Sequence, residues 1–327
     1  MAKGEKYLAL TAYLQKSEKD IIKMSFREIE TVLGESLPKS AYKYSAMWSN
    51  SRSHSIALSW MCAGYVSKNV SILHHTVEFV KNNYVNRIAI SKNKMNKKKA
   101  TLNVEDAVRY IQTYYADTVK DQHGRYLSWC HCYTAFKENR NQKDEQIVDY
   151  LALNLAFYLA SWGMYRGSSF LLQKDYKVHV PIVKIILEDK YTPLLGITPE
   201  SLLDESMLNL LDDISNRIRK TYAKEQSTVG GSTNNATDTL VTKILLGTLG
   251  CVPAYDRYYV QAVRKYGISS GGYDRRSVQD VARYYLSHKN RFEEVRKELC
   301  RSGIEYPAMK IMDMCLWQVS FEDNKHL

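Results

Sequence analysis

Residues 86–103 carry the run Ser91-Lys92-Asn93-Lys94-Met95-Asn96-Lys97-Lys98-Lys99, in which Met95 is the sole apolar side chain. Like charges at this density repel one another and nothing in the run can line a core, so one hydrophobic interior cannot pass through it. The chain is therefore expected to divide into a domain at 1–85, a lysine-rich linker at 86–103 and a second domain at 104–327. A length of 327 residues fits that division, at roughly 100–200 residues per domain. A second polar stretch, 224–238, contains Gly230-Gly231 and Asn234-Asn235. It lies between two helical patterns and reads as a flexible loop within the larger domain.

The charge is divided in the same place. Lys plus Arg number 46 and Asp plus Glu 35, a net of +11. Residues 1–100 hold 17 basic and 7 acidic side chains, a net of +10, which leaves 29 and 28, a net of +1, for the rest. A basic excess confined to one domain points to a polyanionic partner there, and nucleic acid is the expected one. A merely solvated lysine face and an anionic membrane surface are the competing readings. With 45% apolar and 25% charged residues the chain is globular rather than disordered. Six cysteines are too few for a disulfide scaffold. The start, Met1-Ala2-Lys3-Gly4-Glu5-Lys6, has no apolar signal segment, so a cytoplasmic location is expected. The most apolar stretch, Leu151 to Tyr165, falls short of the roughly 20 residues of a membrane span. It reads as a buried core helix, and no membrane partner is expected.

The predicted fold is mainly α: a small helix-turn-helix-plus-β-hairpin domain followed by a larger all-helical domain. Tyr7 to Leu14 has helical spacing. Ser25-Phe26-Arg27-Glu28 is a capping box that opens a helix ending at Gly34. Pro38 suits the first turn of a third helix, over 38–50. Its inward face would hold Ala41, Tyr44 and Trp48, and its outward face Lys39, Tyr42, Lys43, Ala46 and Asn50. Alternation from Tyr65 to Phe79 predicts two short strands. A winged-helix-like arrangement follows. Lys39, Tyr42, Lys43 and Asn50 would enter the major groove of duplex DNA, with Arg52 and His54 just after them and Lys68 and Lys81 reaching phosphates from the hairpin. An ordinary amphipathic helix with solvated lysines remains the alternative. Helical patterns continue at Val104–Lys120, Gln146–Tyr165, Val178–Glu188, Leu202–Lys220, Thr239–Leu249, Tyr258–Lys265, Ser277–Ser287, Arg291–Cys300 and Met309–Val319. Thr101, Asp238 or Thr239, and Ser277 are the capping candidates.

Two resemblances attach to these residues. Phe26-Arg27-Glu28-Ile29-Glu30, Leu33-Gly34, Leu37-Pro38-Lys39-Ser40-Ala41, Trp48-Ser49-Asn50, His54-Ser55, Trp60 and Ala63-Gly64 resemble an uncharacterised bacterial domain over roughly residues 5–80. That domain recurs in proteins associated with nucleases and mobile-element defence. The likeness implies a small helical domain with a hairpin and a DNA-binding role, and it brings no catalytic residues. Further on, Thr242-Lys243-Ile244-Leu245-Leu246 followed by Val252-Pro253-Ala254-Tyr255-Asp256 is similar to the helix-hairpin-helix DNA glycosylases. The resemblance implies that Lys243 would attack the sugar and Asp256 would support departure of the base. The glycine-rich hairpin of that family is missing here, and Lys243 and Asp256 stand only 13 residues apart.

Other chemistry finds little footing. Cys130-His131-Cys132 places potential ligands on adjacent residues and no Cys-x-x-Cys pair exists, so no metal and no cofactor is expected. Cys62, Cys251, Cys300 and Cys315 stand in apolar company and read as core thiols. The glycine signatures of nucleotide-binding loops and the Gly-x-Ser-x-Gly elbow are absent. Arg125…His131 and Arg283…His288 have a ribonuclease-like spacing that chance alone supplies. Ser161 to Phe170 mixes small residues, aromatics and Arg166, and is read either as a helix-packing corner or as part of a pocket with Lys243, Asp256 and Arg257. Three functions remain open: a DNA-binding protein, a glycosylase-like or nuclease enzyme, and a protein adaptor. The 25 tyrosines suit both nucleic-acid and protein interfaces.

Overall fold

In the computed structural model, residues 7–17, 19–50, 55–81, 101–167, 169–227, 236–300 and 303–325 are described. The chain forms two compact units, Met1–Lys98 and Lys99–Leu327. Most of the 86–103 stretch, Arg52, His54 and residues 228–235 of the polar loop lie outside the described residues.

The N-terminal unit comprises α1 (Leu8–Lys16), β1 (Ile21–Ser25), α2 (Phe26–Leu33), α3 (Ala57–Cys62), β2 (Tyr65–Ser71) and β3 (Thr76–Lys81). The strands form an antiparallel sheet in the order β1-β3-β2. Register pairs Ile22 with Phe79 and Met24 with Val77, so strand alternation turns all four inward. They close on a run of rings: Phe26 stacks on Trp48 at 4.4 Å, Trp48 on Trp60 at 5.9 Å, and Trp60 meets Phe79 at 5.4 Å. Burying each such side chain contributes about 1.5–3 kcal/mol, which lets so small a unit hold its own core. Ser25 ends β1 and caps α2. The Glu28 amide donates to its hydroxyl at 3.2 Å and its own amide donates to the Glu28 carboxylate at 2.6 Å. The Ser25 amide and hydroxyl, both donating to the Glu28 carboxylate, pull it below its ordinary range.

Residues 38–50 depart from the expected helix. They form two 3-10 turns, Lys39–Tyr42 and Ser45–Trp48, separated by Tyr44 in an extended conformation. The extended residue breaks the helical register, so Ala41 and Trp48 are buried while Tyr44 is 62% exposed. The Trp48 indole donates to the Ala41 carbonyl at 2.9 Å and ties the two turns together. Strand β1 is a further departure, because its five residues are too few for alternation to stand out. Cys62 is exposed and Cys300 half-buried, unlike the buried thiols of Cys251 and Cys315.

The second unit is helical throughout its described residues: α4 (Val104–Lys120), α5 (Leu127–Glu138), α6 (Glu145–Ser161), α7 (Val180–Ile186), α8 (Glu205–Ser227), α9 (Asp238–Thr248), α10 (Arg257–Lys265), α11 (Arg275–Ser287), α12 (Lys289–Leu299) and α13 (Ala308–Lys325), with short 3-10 turns between. Helix α13 is buried from Ala308 to Ser320 and forms the centre, packed by α4 and α10. It carries the buried pair Lys310–Asp313 at 2.8 Å. Lys310 also lies over the Tyr114 and Trp129 rings, and Asp313 accepts from the Ala254 amide. The caps are Asn103, Asp144, Thr237, Asp256 and Asp274, each accepting an amide of the first turn. The candidate caps Thr101, Asp238 or Thr239, and Ser277 lie close by but do not fill these positions. No helix among the described residues is long and apolar enough to cross a membrane. Helix α6 is buried along Leu151, Leu155 and Leu159 yet shows solvent Tyr150, Leu153 and Phe157, a stripe at i, i+3 and i+7.

Candidate functional site

Helix α6 ends at Trp162, and the chain reverses at Gly163, whose φ of +74° favours glycine. The turn is closed by bonds from the Gly163 amide to the Ala160 carbonyl and from the Met164 amide to the Leu159 carbonyl, both 2.9 Å. It sets the Trp162 indole at the end of the helix and folds Arg166 back over the glycine. A Cβ at Gly163 would stand 3.0 Å from Arg166 Nε.

Three further segments meet this corner. Helix α9 presents Thr239 and Lys243, one turn apart and so on one face. Asp256 caps α10, whose first residues are Arg257 and Tyr258. Helix α13 adds Trp317 and Phe321, again one turn apart, and Arg125 approaches from the turn before α5. Together they line a cavity of about 670 Å³. The structure thus brings Arg166, Lys243, Asp256 and Arg257 to one place.

The cavity is aromatic and cationic. Trp162 and Trp317 stand edge to face at 5.7 Å, and Trp317 stacks on Phe321 at 4.6 Å. The Arg125 guanidinium lies 5.1 Å from the centre of the Trp162 ring, and that of Arg257 4.9 Å from that of Tyr258. Arg125, Arg166, Lys243 and Arg257 face the single carboxylate of Asp256, a local surplus of three positive charges. Only Lys243 is paired with it, at 3.0 Å, and no ion pair of Arg125, Arg166 or Arg257 occurs among the described residues. Asp256 Oδ1 meanwhile accepts from the Tyr258 and Tyr259 amides. Lys243 donates to one oxygen of Asp256 and the two amides to the other, so both oxygens of Asp256 are occupied. Their geometry is that of a strut between α9 and α10. Trp162 Nε1, although buried, has no acceptor among the described residues.

The N-terminal candidates are scattered by comparison. Lys39, Lys43 and Lys68 are exposed and Lys81 is half-buried at the end of β3. Lys68 belongs to an outward row across the sheet, Lys23–Glu78–Lys68. The Tyr42 ring packs edge-on against Phe26 and His75, and burial with Glu30 beside it raises its phenol above the ordinary range. The Asn50 amide bonds within the unit. Its Oδ1 accepts from the Trp60 indole at 2.9 Å and the Ser67 amide at 2.8 Å, and its Nδ2 donates to the Ser67 carbonyl at 3.0 Å. Its Oδ1 is thus engaged within the unit, while the residue itself is exposed.

Trp317, Phe321 and Tyr258 join the lining without having stood out in the sequence, and Arg125 had stood out only for its spacing to His131. The one-turn spacing of Trp317 and Phe321 is the signal that could have found two of them. It is indistinguishable from core spacing until the cavity is seen.

Residues 7–82 match the family described as a domain of unknown function, DUF7662. The match covers the N-terminal unit and assigns no activity. The chain matches no curated protein and no solved structure.

Proposed function

We propose that the chain is a nucleic-acid-binding protein whose N-terminal unit grips the phosphate backbone of duplex DNA. The observation that supports this is the contrast in how the two units treat their cations. The helical unit ties many of them to carboxylates: Arg217 to Glu188, Arg275 to Asp212 and Glu205, Arg291 to Glu105, Lys289 to Glu200. In the N-terminal unit the ion pair among the described residues is Lys23–Glu78 at 3.9 Å, and Lys39, Lys43 and Lys68 have none. Exposed lysines without acidic partners release counterions when they meet phosphates, and that release drives sequence-tolerant binding. With no α-helix at 38–50 and the Asn50 amide bonded to Trp60 and Ser67, this reading needs no base recognition by that segment.

Fluorescence anisotropy of the full chain with a labelled duplex, at rising salt, tests the proposal. Binding should weaken steeply with salt. The Lys39→Glu/Lys43→Glu/Lys68→Glu variant should bind weakly and with a shallower slope, by about 0.9 for each phosphate it no longer neutralises. Absent or salt-independent binding overturns it. A part in defence against mobile elements extends the same proposal: cells carrying the chain would restrict an incoming plasmid, and cells carrying the charge-reversed variant would not.

The exposed stripe Tyr150, Leu153 and Phe157 favours a second reading, in which the helical unit also holds a protein. Sedimentation that shows a dimer removed by Phe157→Glu would support it, with the second copy as that protein.

A further inference from the structure

We infer that the cavity between α6, α9, α10 and α13 is a nucleotide site, taking a nucleobase joined to a phosphate either as a free mononucleotide or at the phosphorylated end of a strand. It lies wholly within the helical unit and stands independently of the N-terminal lysines.

Size, walls and charge agree on this class of ligand. A volume of about 670 Å³ falls within the roughly 300–1,000 Å³ of small-ligand sites. Trp162, Trp317, Tyr258 and Phe321 supply flat rings, on which a base can stack whatever its identity. Arg125 and Arg257 are laid over ring faces, which fixes their planes while leaving their N–H forks without a carboxylate. A guanidinium held in that way is organised in advance for bidentate binding of phosphate. The surplus of three charges exceeds what one carboxylate would neutralise and suits the roughly −1.5 to −2 of a phosphomonoester. The buried indole N–H of Trp162 lacks an acceptor among the described residues, and a donor left so is destabilising. A ligand oxygen or ring nitrogen would relieve that cost. Apolar cofactors leave the arginines unanswered, and a bare phosphate leaves the rings uncovered.

Isothermal titration of the full chain with AMP, GMP, CMP and UMP, beside adenosine and inorganic phosphate, tests the inference, with quenching of tryptophan fluorescence as a second readout. At least one mononucleotide should bind about tenfold or more tighter than either adenosine or phosphate alone, since each half forfeits one set of interactions. Arg166→Glu/Arg257→Glu should weaken it at least about tenfold, and Trp162→Phe, which keeps a ring and removes the N–H, severalfold. Both arginines are exposed, and thermal melts check that the variants fold; if the double variant does not, Trp162→Phe and Arg166→Gln carry the test. A 5′-phosphorylated tetranucleotide set against its unphosphorylated form and against the mononucleotides tells a strand end from a free ligand, and tighter binding of either supports the site. No binding of any of these nucleotides at about millimolar concentration overturns it. So does phosphate binding as tightly as the best nucleotide, or undiminished binding by the folded variants. Duplex binding should survive Arg166→Glu/Arg257→Glu, so the two proposals can fail separately.

Discussion

Lys243 Nζ stands 3.0 Å from Asp256 Oδ2, with the two side chains 4% and 15% exposed, while the other Asp256 oxygen caps α10. The carboxylate holds two elements and the ammonium one. Removing one partner of a buried pair costs about 3–5 kcal/mol, mostly through the charge left behind. Loss of a cap adds about 1 kcal/mol. Asp256→Ala should therefore destabilise more than Lys243→Met, by about 1 kcal/mol, in urea unfolding of the full chain. Equal costs would mean that the cap contributes nothing.

Asn50 offers a sharper separation of structure from binding. In Asn50→Ala the Trp60 indole and the Ser67 amide lose their acceptor, and each buried donor so orphaned costs about 1–3 kcal/mol. The N-terminal unit should lose about 2–6 kcal/mol, read from the fluorescence of Trp48 and Trp60 during denaturation. A base-reading asparagine would behave in the opposite way, with stability unchanged and DNA affinity reduced.

That contrast shows what the sequence could and could not convey. The capping box at Ser25 and Glu28 was legible because its two bonds are local, and the bounds of Val104–Lys120 followed from its period. Helix α5 was not legible. Ser128, Trp129, Cys130, Cys132, Tyr133, Ala135 and Phe136 are all buried, and only His131, Thr134, Lys137 and Glu138 make a polar stripe, too narrow to mark a clear period. The spacing of Ala41, Tyr44 and Trp48 imitated a helix, because two 3-10 turns around an extended residue bury the first and last of the three as a helix would. At the cavity, charged residues in apolar surroundings drew attention to Arg166 and Lys243. The rings that complete its walls, Trp317 and Phe321, look in sequence like any core pair.

Gly247 lies where α9 meets α6. A Cβ there would fall 2.4 Å from Cε1 and 2.7 Å from Cδ1 of the buried Tyr158 ring. Alanine improves helix propensity by about 1 kcal/mol, but overpacking costs about 1–3 kcal/mol and the ring has no room to retreat. Gly247→Ala should thus lower the melting temperature despite its better propensity. Combined with Tyr158→Leu, the same change should cost less than alone, a coupling that a double-mutant cycle reads directly.

His179 is fully buried between two phenols, with Nε2 2.6 Å from the Tyr165 hydroxyl and Nδ1 2.5 Å from the Tyr222 hydroxyl. A neutral imidazole fits this bridge with one ring nitrogen donating and the other accepting. Burial lowers its pKa to about 4. In the unfolded chain it would titrate near 6.5. Between those values the unfolded chain binds a proton that the folded chain refuses. Stability is therefore full above pH about 6.5 and declines as pH falls, by about 3 kcal/mol on reaching pH 4. Carboxylates such as Glu188 and Asp213, held below their usual range by Arg217 and Lys190, also lose stability in acid. The comparison must then be with His179→Gln, which can still bridge the phenols but does not titrate. Urea unfolding at steps from about pH 7 to pH 4 should show a shallower decline for the variant, with the difference confined to the window between about 6.5 and 4. Parallel declines would mean that His179 is not the group that titrates.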